Sequence, residues 1–338
     1  MKILVVSNLN PHFTNTNVYR LNAIKKCGHK AMFFDDRAFF LPGRLRDRFS
    51  ILNAWDMARL NSKLVHTVAE KKPDLCLFVG SFRTHRDALM EIKSLGPKIV
   101  LWTTDAPRQY DNIIKTAPIY GHVFCAGTEA IELLERHGIT GARWLPFACD
   151  PDYHRPAELR HADKEILGKD IVFVGGFSQN RWEILNQLGE FSVGVWGPFW
   201  EKAATQRPKN CQVTSGHIDV SSWVKIYRAA KIVLVVHYQD GVTPCFQASP
   251  KIFEALACGC FVLVDRQKDV FRLFEDGVHL VGFDDITDLK RKIRHYLENP
   301  RERMKIGVQG QREVIEKHTY AHRLQSMFEI VSQSQRDL

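Results

Sequence analysis

The sequence predicts an α/β protein built from two similar units, each a mostly parallel sheet covered by helices on both faces. Three observations indicate this: apolar runs alternate with amphipathic stretches, the alternation occurs in two series, and a Pro- and charge-rich stretch (150–168) separates the series. Near-continuous apolar strands between helices are typical of parallel sheets that are buried on both faces. A chain of 338 residues is also longer than a domain with one ordinary hydrophobic core, so its length suits two domains.

The first series predicts a Rossmann-like N-terminal domain over residues 1–155. Its predicted strands are 2–7, 31–36, 74–80, 98–105 and 122–127, and its predicted helices are 16–27, 55–72, 84–95 and 128–138. The last helix has clear ends, because Thr128 and Glu129 are typical of a first turn and Gly138 is typical of a stop.

The second series predicts a second Rossmann-like domain over residues 165–318. Its predicted strands are 170–176, 192–197, 231–237, 260–265 and 279–283, and its predicted helices are 180–190, 219–229, 250–258, 285–298 and 301–317. The remaining segment, 319–338, is helical over 319–333 and is expected to pack back on the N-terminal domain. Ligands of such sheets lie beyond the carboxyl ends of the strands, so two facing units would form a cleft there.

Composition narrows the class of protein. The N-terminal run MKILVVSNLN turns polar at once, which favours a first strand over a signal peptide, and no stretch approaches the ~18 apolar residues of a membrane-spanning helix. The eight cysteines include no C-x-x-C pair and several lie in apolar runs. They predict reduced, buried thiols in a cytoplasmic protein, with no disulfide framework and no bound metal.

A formal net charge of +9 favours an acidic partner, such as nucleotide phosphates, nucleic acid or an anionic membrane face. The basic residues are dispersed, however, and the densest run (Arg44, Arg46 and Arg48) is short, so a solvated basic surface is the simpler interpretation. The sequence contains no nucleic-acid recognition motif, and it leaves peripheral contact with a membrane open.

The strand-end loops of the first unit offer two candidate catalytic residues. The loop 7–15 lacks G-x-G-x-x-G, and the chain has no G-x-x-x-x-G-K-[ST], which argues against a dinucleotide oxidoreductase and a P-loop NTPase. His12 in this loop is a candidate base, with an exposed loop histidine as the alternative. Asp105 follows a buried strand and suits a general base or a ligand for hydroxyl groups. The alternative for Asp105 is an ordinary turn cap before Ala-Pro.

The strand-end loops of the second unit suit a phosphorylated ligand. Gly175 and Gly176 follow a strand and let the backbone approach a ligand, while the start of the next helix favours phosphate and Arg181 adds a cation. Two further loops carry candidates for holding a nucleobase by stacking or main-chain hydrogen bonds. These candidates are Trp196, Gly197, His217 and Ile218. For Trp196, packing in the core is the alternative.

The stretch SPKIFEALACGCFVLVD (249–265) is the most informative one. Ser249 and Pro250 predict a well-defined helix start, since Ser is a preferred N-cap and Pro is preferred at the first helical position. Lys251 and Glu254 are three residues apart and therefore share one face. A surface ion pair is one interpretation. We favour a ligand site, because a cation beside a helix N-terminus suits a diphosphate and the carboxylate suits sugar hydroxyls.

These segments in this order resemble the group 1 glycosyltransferases of the GT-B fold, and more narrowly the spore-maturation-protein-B (CgeB-like) type. The matching segments are VLWTTDAPRQYD, the run from YGHVFCAGTEAI to DPDYHRP, DIVFVGGFSQNRWEIL, VWGPFW, IYRAAKIVLVVH, SPKIFEALACGCFVLVD and the stretch from FEDGVHLVGF to HTYAHR. They cover most of residues 98–323, whereas residues 1–97 match only as a generic first half of the fold.

The resemblance implies transfer of a sugar from a nucleotide diphosphate sugar, the co-substrate, with no bound metal or other cofactor. It implies that Arg181 and Lys251 neutralise the diphosphate, that Glu254 binds the ribose hydroxyls, and that Asp105 lies at the cleft edge of the N-terminal domain. In the broader family a second glutamate, eight residues before Glu254, contacts the donor sugar. Here that position is Phe246, so the resemblance does not extend to this contact or to a retaining mechanism.

Three other functions remain compatible with the sequence. They are a non-catalytic protein that binds nucleotide sugars or glycans, an epimerase on the same scaffold, and a nucleic-acid-binding or base-modifying protein. The acceptor expected for a transferase is a glycan, a protein or another molecule, and several donor sugars are compatible with the residues.

Overall fold

The computed structural model describes residues 1–9, 16–80, 83–104, 110–203 and 210–333. The chain divides into two compact units. The first holds the described residues up to Pro146 together with those from Leu324 onward, and the second holds Phe147–Arg323. Among the described residues, no helix has the length and the apolar character needed to cross a membrane.

The first unit is built on a parallel sheet of six strands in the order β2-β1-β3-β4-β5-β6. The strands are β1 (Lys2–Ser7), β2 (Lys30–Asp35), β3 (Leu75–Val79), β4 (Lys98–Thr103), β5 (His122–Cys125) and β6 (Arg143–Trp144). The helices are α1 (Thr16–Lys26), α2 (Gly43–Arg48), α3 (Ser50–Lys71), α4 (Arg86–Ser94), α5 (Asp111–Thr116) and α6 (Thr128–Arg136). Every residue of β3 is buried, as expected for a central strand covered by helices on both faces.

The second unit repeats the architecture, with a parallel sheet in the order β12-β11-β10-β7-β8-β9. The strands are β7 (Ile171–Val174), β8 (Val193–Gly197), β9 (Cys211–Ser215), β10 (Ile232–Val235), β11 (Val262–Asp265) and β12 (Val281–Phe283). The helices are α7 (His161–Leu167), α8 (Gln179–Asn186), α9 (Val220–Ala229), α10 (Pro250–Ala257), α11 (Val270–Leu273), α12 (Ile286–Glu298) and α13 (Pro300–Lys317). The last helix, α14 (Tyr320–Gln333), begins in this unit and continues in the first.

Both sheets contain one strand that the sequence did not predict. Strand β6 has only two residues, and β9 has an exposed face and lacks a continuous apolar run, so neither has the pattern of a buried parallel strand. The other ten strands lie where the apolar runs predicted them. The α/β architecture of two Rossmann-like units is therefore confirmed.

The last helix, α14, joins the hydrophobic core of the first unit from Leu324 onward. Leu324 and Met327 are fully buried, and the ring of Phe328 lies edge-on against His29 at 5.0 Å between centroids. The ammonium of Lys98 donates a 2.8 Å hydrogen bond to the carbonyl oxygen of Val331. These contacts agree with the prediction that the C-terminal helix packs on the first domain.

Candidate functional site

The candidate donor site lies in the second unit, at the carboxyl ends of β7, β8, β10 and β11. In a parallel sheet these ends share one edge, where helices α8 and α10 also begin. The loops after β7 and β10 carry the predicted Gly175–Gly176 pair and the residues that lead to Ser249. This edge of the sheet therefore assembles most of the donor-binding residues that the sequence predicted.

Two glycines let β7 and β8 approach closely at this edge. Gly197 has φ +146°, and a Cβ on Gly197 would lie 2.2 Å from the carbonyl oxygen of Gly175, which no side chain tolerates. The same carbonyl accepts a 2.7 Å hydrogen bond from the indole N–H of Trp200, and the Gly175 N–H donates to Trp196 at 2.8 Å. The backbone at Gly175 is thus fixed from both sides.

Gly175 also leaves space for the side chain of Lys251, the first cationic residue of α10. A Cβ added at Gly175 would lie 2.8 Å from Lys251 Cε. Lys251 therefore extends across the glycine turn, so that its cationic side chain and the backbone turn meet without another side chain between them. This is the arrangement of glycine loop and cation that suits a phosphate group.

Lys251 and Glu254 share one face of α10, as predicted, but they do not form an ion pair with each other among the described contacts. Glu254 is 7% exposed and Lys251 is half-buried. Burial lowers the pKa of the Lys251 ammonium, and the positive charge of Arg181 lowers it further. Burial likewise raises the pKa of the Glu254 carboxyl, which the positive charge of Lys251 only partly offsets. Both side chains lack hydrogen bonds to described residues, so a polar ligand can take them as partners without breaking an internal contact.

Arg181 lies at the same edge, where it joins the start of α8 to the end of β10. Its Nε donates to the carbonyl oxygen of Val236 at 3.0 Å, and its Nη1 donates to that of Gly176 at 3.0 Å. Burial lowers the pKa of the guanidinium, against the opposing charge of Asp265. Because Nε is already used internally, this conformation offers a ligand mainly the Nη atoms.

His237 and Asp265 form a buried relay that the sequence analysis missed. The imidazole of His237 is 3% exposed, and its Nδ1 lies 2.7 Å from Oδ1 of Asp265. Its Nε2 accepts a 3.0 Å hydrogen bond from the backbone N–H of Ser249. These partners assign the ring proton to Nδ1, because Nε2 faces a donor. The relay therefore ties the ends of β10 and β11 to the residue that precedes α10.

The carboxylate of Asp265 is held on both oxygens. Oδ1 also accepts from the backbone N–H of His237 at 3.0 Å, and Oδ2 accepts from Gln267 at 3.0 Å. Burial alone would raise the pKa of Asp265, but the interactions with His237 and Gln267 together lower it. A sequence signal for the relay did exist: His237 and Asp265 are the polar residues that end two adjacent apolar runs, the same signal that singled out Asp105.

Ser249 occupies the N-cap position of α10, but its hydroxyl makes no capping hydrogen bond, and Pro250 follows at the first helical position. The helix start is instead fixed by the hydrogen bond that the Ser249 N–H donates to His237 Nε2. The predicted N-cap position of Ser249 and the predicted helix start at Pro250 are therefore confirmed.

The remaining predicted residues of the second unit are placed differently. The ring of Trp196 is buried, and its distal edge packs where a Cβ on Gly194 would lie, so the core interpretation of this residue describes its position better than base stacking. His217 is exposed and Ile218 is half-buried in the loop between β9 and α9. Phe246 accepts a hydrogen bond from the Asp269 N–H through its carbonyl oxygen, and its ring lies 5.0 Å from the ammonium of Lys268.

The two predicted catalytic residues, His12 and Asp105, lie outside the described residues. At the carboxyl ends of the strands in the first unit, the described residues include a polar cluster that was not predicted from the sequence. Arg20 is fully buried there, with its guanidinium 4.4 Å from the ring centroid of Trp102 and its Nη1 bonded to Thr16 and Asn17. Asn17 in turn donates to the hydroxyl of Ser7 at 2.9 Å, at the end of β1.

Neither of two cavities bounded by described residues coincides with the candidate donor site. One, of about 900 Å³, lies in the first unit and is lined in part by Met1, Asp74 and Lys98, at the amino ends of β1, β3 and β4. The other, of about 670 Å³, lies between residues 152–158 and α9. Within the described ranges, no group of three or more His, Cys, Asp and Glu side chains is arranged to hold a metal ion.

Comparison with known proteins relates this geometry to glycosyltransferases. Residues 181–329 match a family described as glycosyl transferase-like. The chain is 20% identical over 270 residues to the spore protein CgeB of Bacillus subtilis (strain 168), a match that covers 74% of this chain and 80% of that protein.

Solved structures of similar fold cover nearly the whole chain. The crystal structure of Anabaena Alr3699/HepE in complex with UDP and glucose superposes with a TM-score of 0.71 at 14% identity, over 98% of this chain and 100% of that one. Sucrose-phosphate synthase from Thermosynechococcus elongatus superposes with a TM-score of 0.72 at 12% identity, over 100% of both chains. These structures confirm the predicted GT-B fold. The glycosyl transferase-like segment and the match to CgeB bear out the predicted resemblance.

Proposed function

We propose that this chain, with its GT-B fold and its glycosyl transferase-like segment, transfers a sugar from a nucleotide diphosphate sugar to an acceptor. One observation carries the proposal: Lys251 lies beside the Gly175 turn, Glu254 lies on the same face of α10, and neither side chain has an internal hydrogen-bond partner among the described residues. The matched family segment, 181–329, contains both of these residues. Anabaena HepE, a protein of similar fold, binds UDP and glucose in its crystal structure, which supports the same proposal.

The residues of the second unit suit the leaving group of such a reaction. As the bond between the sugar and the diphosphate breaks, negative charge develops on the departing nucleoside diphosphate. The ammonium of Lys251, the Nη atoms of Arg181 and the N–H groups at the start of α10 would stabilise that charge. Glu254 would accept hydrogen bonds from ribose hydroxyls. Because internal hydrogen bonds hold Arg181 and the start of α10 before the donor binds, little reorganisation of these groups would oppose the step.

The acceptor side of the reaction is assigned to the first unit. We propose Asp105 as the group that orients or deprotonates the acceptor, with His12 as a second candidate base. We further propose that the reaction requires no protein-bound metal, because cationic side chains and helix N–H groups replace the metal as the partners of the diphosphate. Turnover that persists in the presence of EDTA is the expected result, and loss of turnover that added metal restores would contradict this part of the proposal.

Calorimetric titration with UDP, GDP, TDP and ADP tests the donor site directly. Lys251→Ala and Glu254→Ala should each weaken binding of the preferred nucleotide by about tenfold to a hundredfold, the range expected when a hydrogen bond to a charged group is lost. Lys305→Ala and Glu298→Ala remove the same charges from exposed positions on α13 and α12 and serve as matched controls. Unchanged affinity in the first pair would refute the site.

Turnover separates transfer from binding alone. Incubation with a panel of nucleotide sugars should release nucleoside diphosphate, with an acceptor-free reaction as the control for slow hydrolysis. Asp105→Asn should slow this release while the nucleotide affinity stays unchanged. Binding without release of any diphosphate would favour a nucleotide-sugar-binding protein, the alternative that Phe246 supports.

A further inference from the structure

The first unit displays a cluster of large apolar side chains in water, all from one short segment. Residues 37–59 run from the end of β2 through α2 into the first turns of α3. Five large apolar side chains of this segment are exposed: Phe40 by 69%, Leu45 by 42%, Phe49 by 48%, Ile51 by 82% and Trp55 by 51%. The α2 helix between them contains no buried residue. Apolar side chains of this size are seldom grouped on a surface that faces only water.

Hydrogen bonds to the backbone hold Phe40 in its exposed position. The carboxylate of Asp56 is fully buried and accepts hydrogen bonds from the backbone N–H groups of Phe40 and Leu41, at 2.9 to 3.1 Å. Arg59 bonds the same carboxylate at 3.2 Å and lies over the Phe40 ring at 5.2 Å. A buried charge therefore fixes the turn that carries an exposed aromatic ring. The Phe40 and Trp55 rings meet edge to face at 6.3 Å, so they form one continuous apolar surface.

The charges of the segment are mainly positive. Residues 37–59 contain five arginines (37, 44, 46, 48 and 59) and two aspartates (47 and 56), which gives a net charge of 5 − 2 = +3. Arg37, Arg44 and Arg48 are exposed, whereas Asp56 is buried and paired with Arg46 and Arg59. The outer surface thus presents arginines between aromatic and aliphatic side chains, with Asp47 as the exposed acid.

We propose that the segment 37–59 docks on an anionic lipid surface, with Phe40, Phe49, Ile51 and Trp55 inserted at the level of the headgroups. Aromatic and aliphatic groups interleaved with arginine match both properties of that surface, its negative charge and its accessible apolar boundary. Phe40 and Phe49 flank α2, and Ile51 and Trp55 lie on the first turns of α3. All four side chains are exposed at the surface, which suits insertion into a fluid boundary. Docking here would hold the first unit, the proposed acceptor side, next to a lipid-attached acceptor.

Co-sedimentation with vesicles tests the docking. The 338-residue chain should bind vesicles of phosphatidylcholine mixed with phosphatidylglycerol, should bind phosphatidylcholine alone much more weakly, and should be released by salt. The double variant Arg44→Gln/Arg48→Gln should weaken binding by about twentyfold to thirtyfold, since each arginine near such a surface contributes about fivefold. Phe40→Ser/Trp55→Ser should weaken it at least tenfold. Ile51→Ser offers an independent single variant at the most exposed of these positions.

Matched controls lie on α13 of the second unit. Met304→Ser/Val308→Ser removes two apolar side chains that are 60% and 57% exposed, and Arg301→Gln removes an exposed arginine, so all of these variants should bind vesicles like the wild type. Tryptophan fluorescence distinguishes insertion of the side chains from adsorption at the surface. Adding anionic vesicles should shift the tryptophan emission to shorter wavelength, and Trp55→Phe should abolish this shift.

Three results would overturn the proposal. The first is the absence of binding to anionic vesicles, or equal binding by the wild type and the patch variants. The second is self-association of the wild type that Phe40→Ser/Trp55→Ser abolishes while vesicle binding is absent, which would assign the surface to a second copy of this chain. The third is salt-sensitive binding of single-stranded DNA that the arginine variants abolish, again without vesicle binding, which would assign the surface to nucleic acid.

Discussion

The His237 relay predicts that two conservative substitutions of one buried histidine have separable effects. In His237→Asn, the amide reaches roughly the position of Nδ1 and can still donate to Asp265, but nothing accepts from the Ser249 N–H. In His237→Gln, the side-chain oxygen reaches roughly the position of Nε2 and can accept from Ser249, while Asp265 loses its imidazole partner. Each variant therefore breaks one half of the relay.

The magnitudes follow from burial of the groups left behind. An unsatisfied buried N–H costs about 1–3 kcal/mol, and a carboxylate that loses a hydrogen bond costs about the same or more. Both variants should thus lower the free energy of unfolding by about 1–3 kcal/mol. His237→Asn should also weaken nucleotide binding, because the freed Ser249 N–H no longer fixes the start of α10. A loss of 1.4 kcal/mol in binding would appear as a tenfold higher Kd.

Urea unfolding and calorimetric titration of the preferred nucleoside diphosphate measure the two effects. His161→Asn is the control, since its side chain is 88% exposed on α7 of the same unit and should leave both quantities unchanged. If His237→Asn unfolds at the wild-type urea concentration and binds nucleotide with wild-type affinity, the relay does not position α10 and the reasoning is refuted.

Three further predictions rest on other contacts. Nucleotide affinity should fall as pH rises through the lowered pKa of Lys251, below the ordinary 10.5, because the ammonium loses its charge there; Lys251→Arg should flatten this profile in titrations across pH. Gly175→Ala should weaken nucleotide binding, since its Cβ would lie 2.8 Å from Lys251 Cε, whereas Gly176→Ala, whose nearest neighbour is 3.6 Å away, should have a smaller effect in the same titration. Burial raises the pKa of the Asp56 carboxyl, but hydrogen bonds from the backbone and Arg59 lower that pKa overall. The Asp56 carboxylate therefore stabilises the fold at neutral pH, and this stabilisation is lost as pH falls through the lowered pKa. Asp56→Asn should unfold at a lower urea concentration than the wild type at neutral pH and approach the wild type in acid.

Much of the fold could be predicted because a buried parallel strand has a distinctive apolar run. The strand β9 shows the limit of that signal: CQVTS lies at the edge of its sheet with three of its five residues exposed, so its composition is that of a loop. The same limit applies to α2, which buries none of its residues and therefore has no apolar face for the sequence to reveal.

The candidate site was predictable where chemistry depends on local spacing. Lys251 and Glu254 are separated by one helical turn next to a recognisable helix start, so their shared face followed from the sequence. The His237 relay depends on a contact between residues 28 positions apart, and the register of β10 against β11 decides it. Arg181 was predicted as a cation at the site and lies at that edge of the sheet, but its hydrogen bonds to Val236 and Gly176 depend on loop geometry that a residue pattern does not contain.

The path of the chain through the two units limits how the protein can be divided. The first unit is completed only by residues from Leu324 onward, after the chain has passed through the whole of the second unit. A fragment that ends near Pro146 would therefore expose the surface that Leu324, Met327 and Phe328 cover, and it should be poorly soluble when expressed alone. Separate production of the first unit would require a circular permutation, or a linker that returns residues 324–333 directly to the fragment.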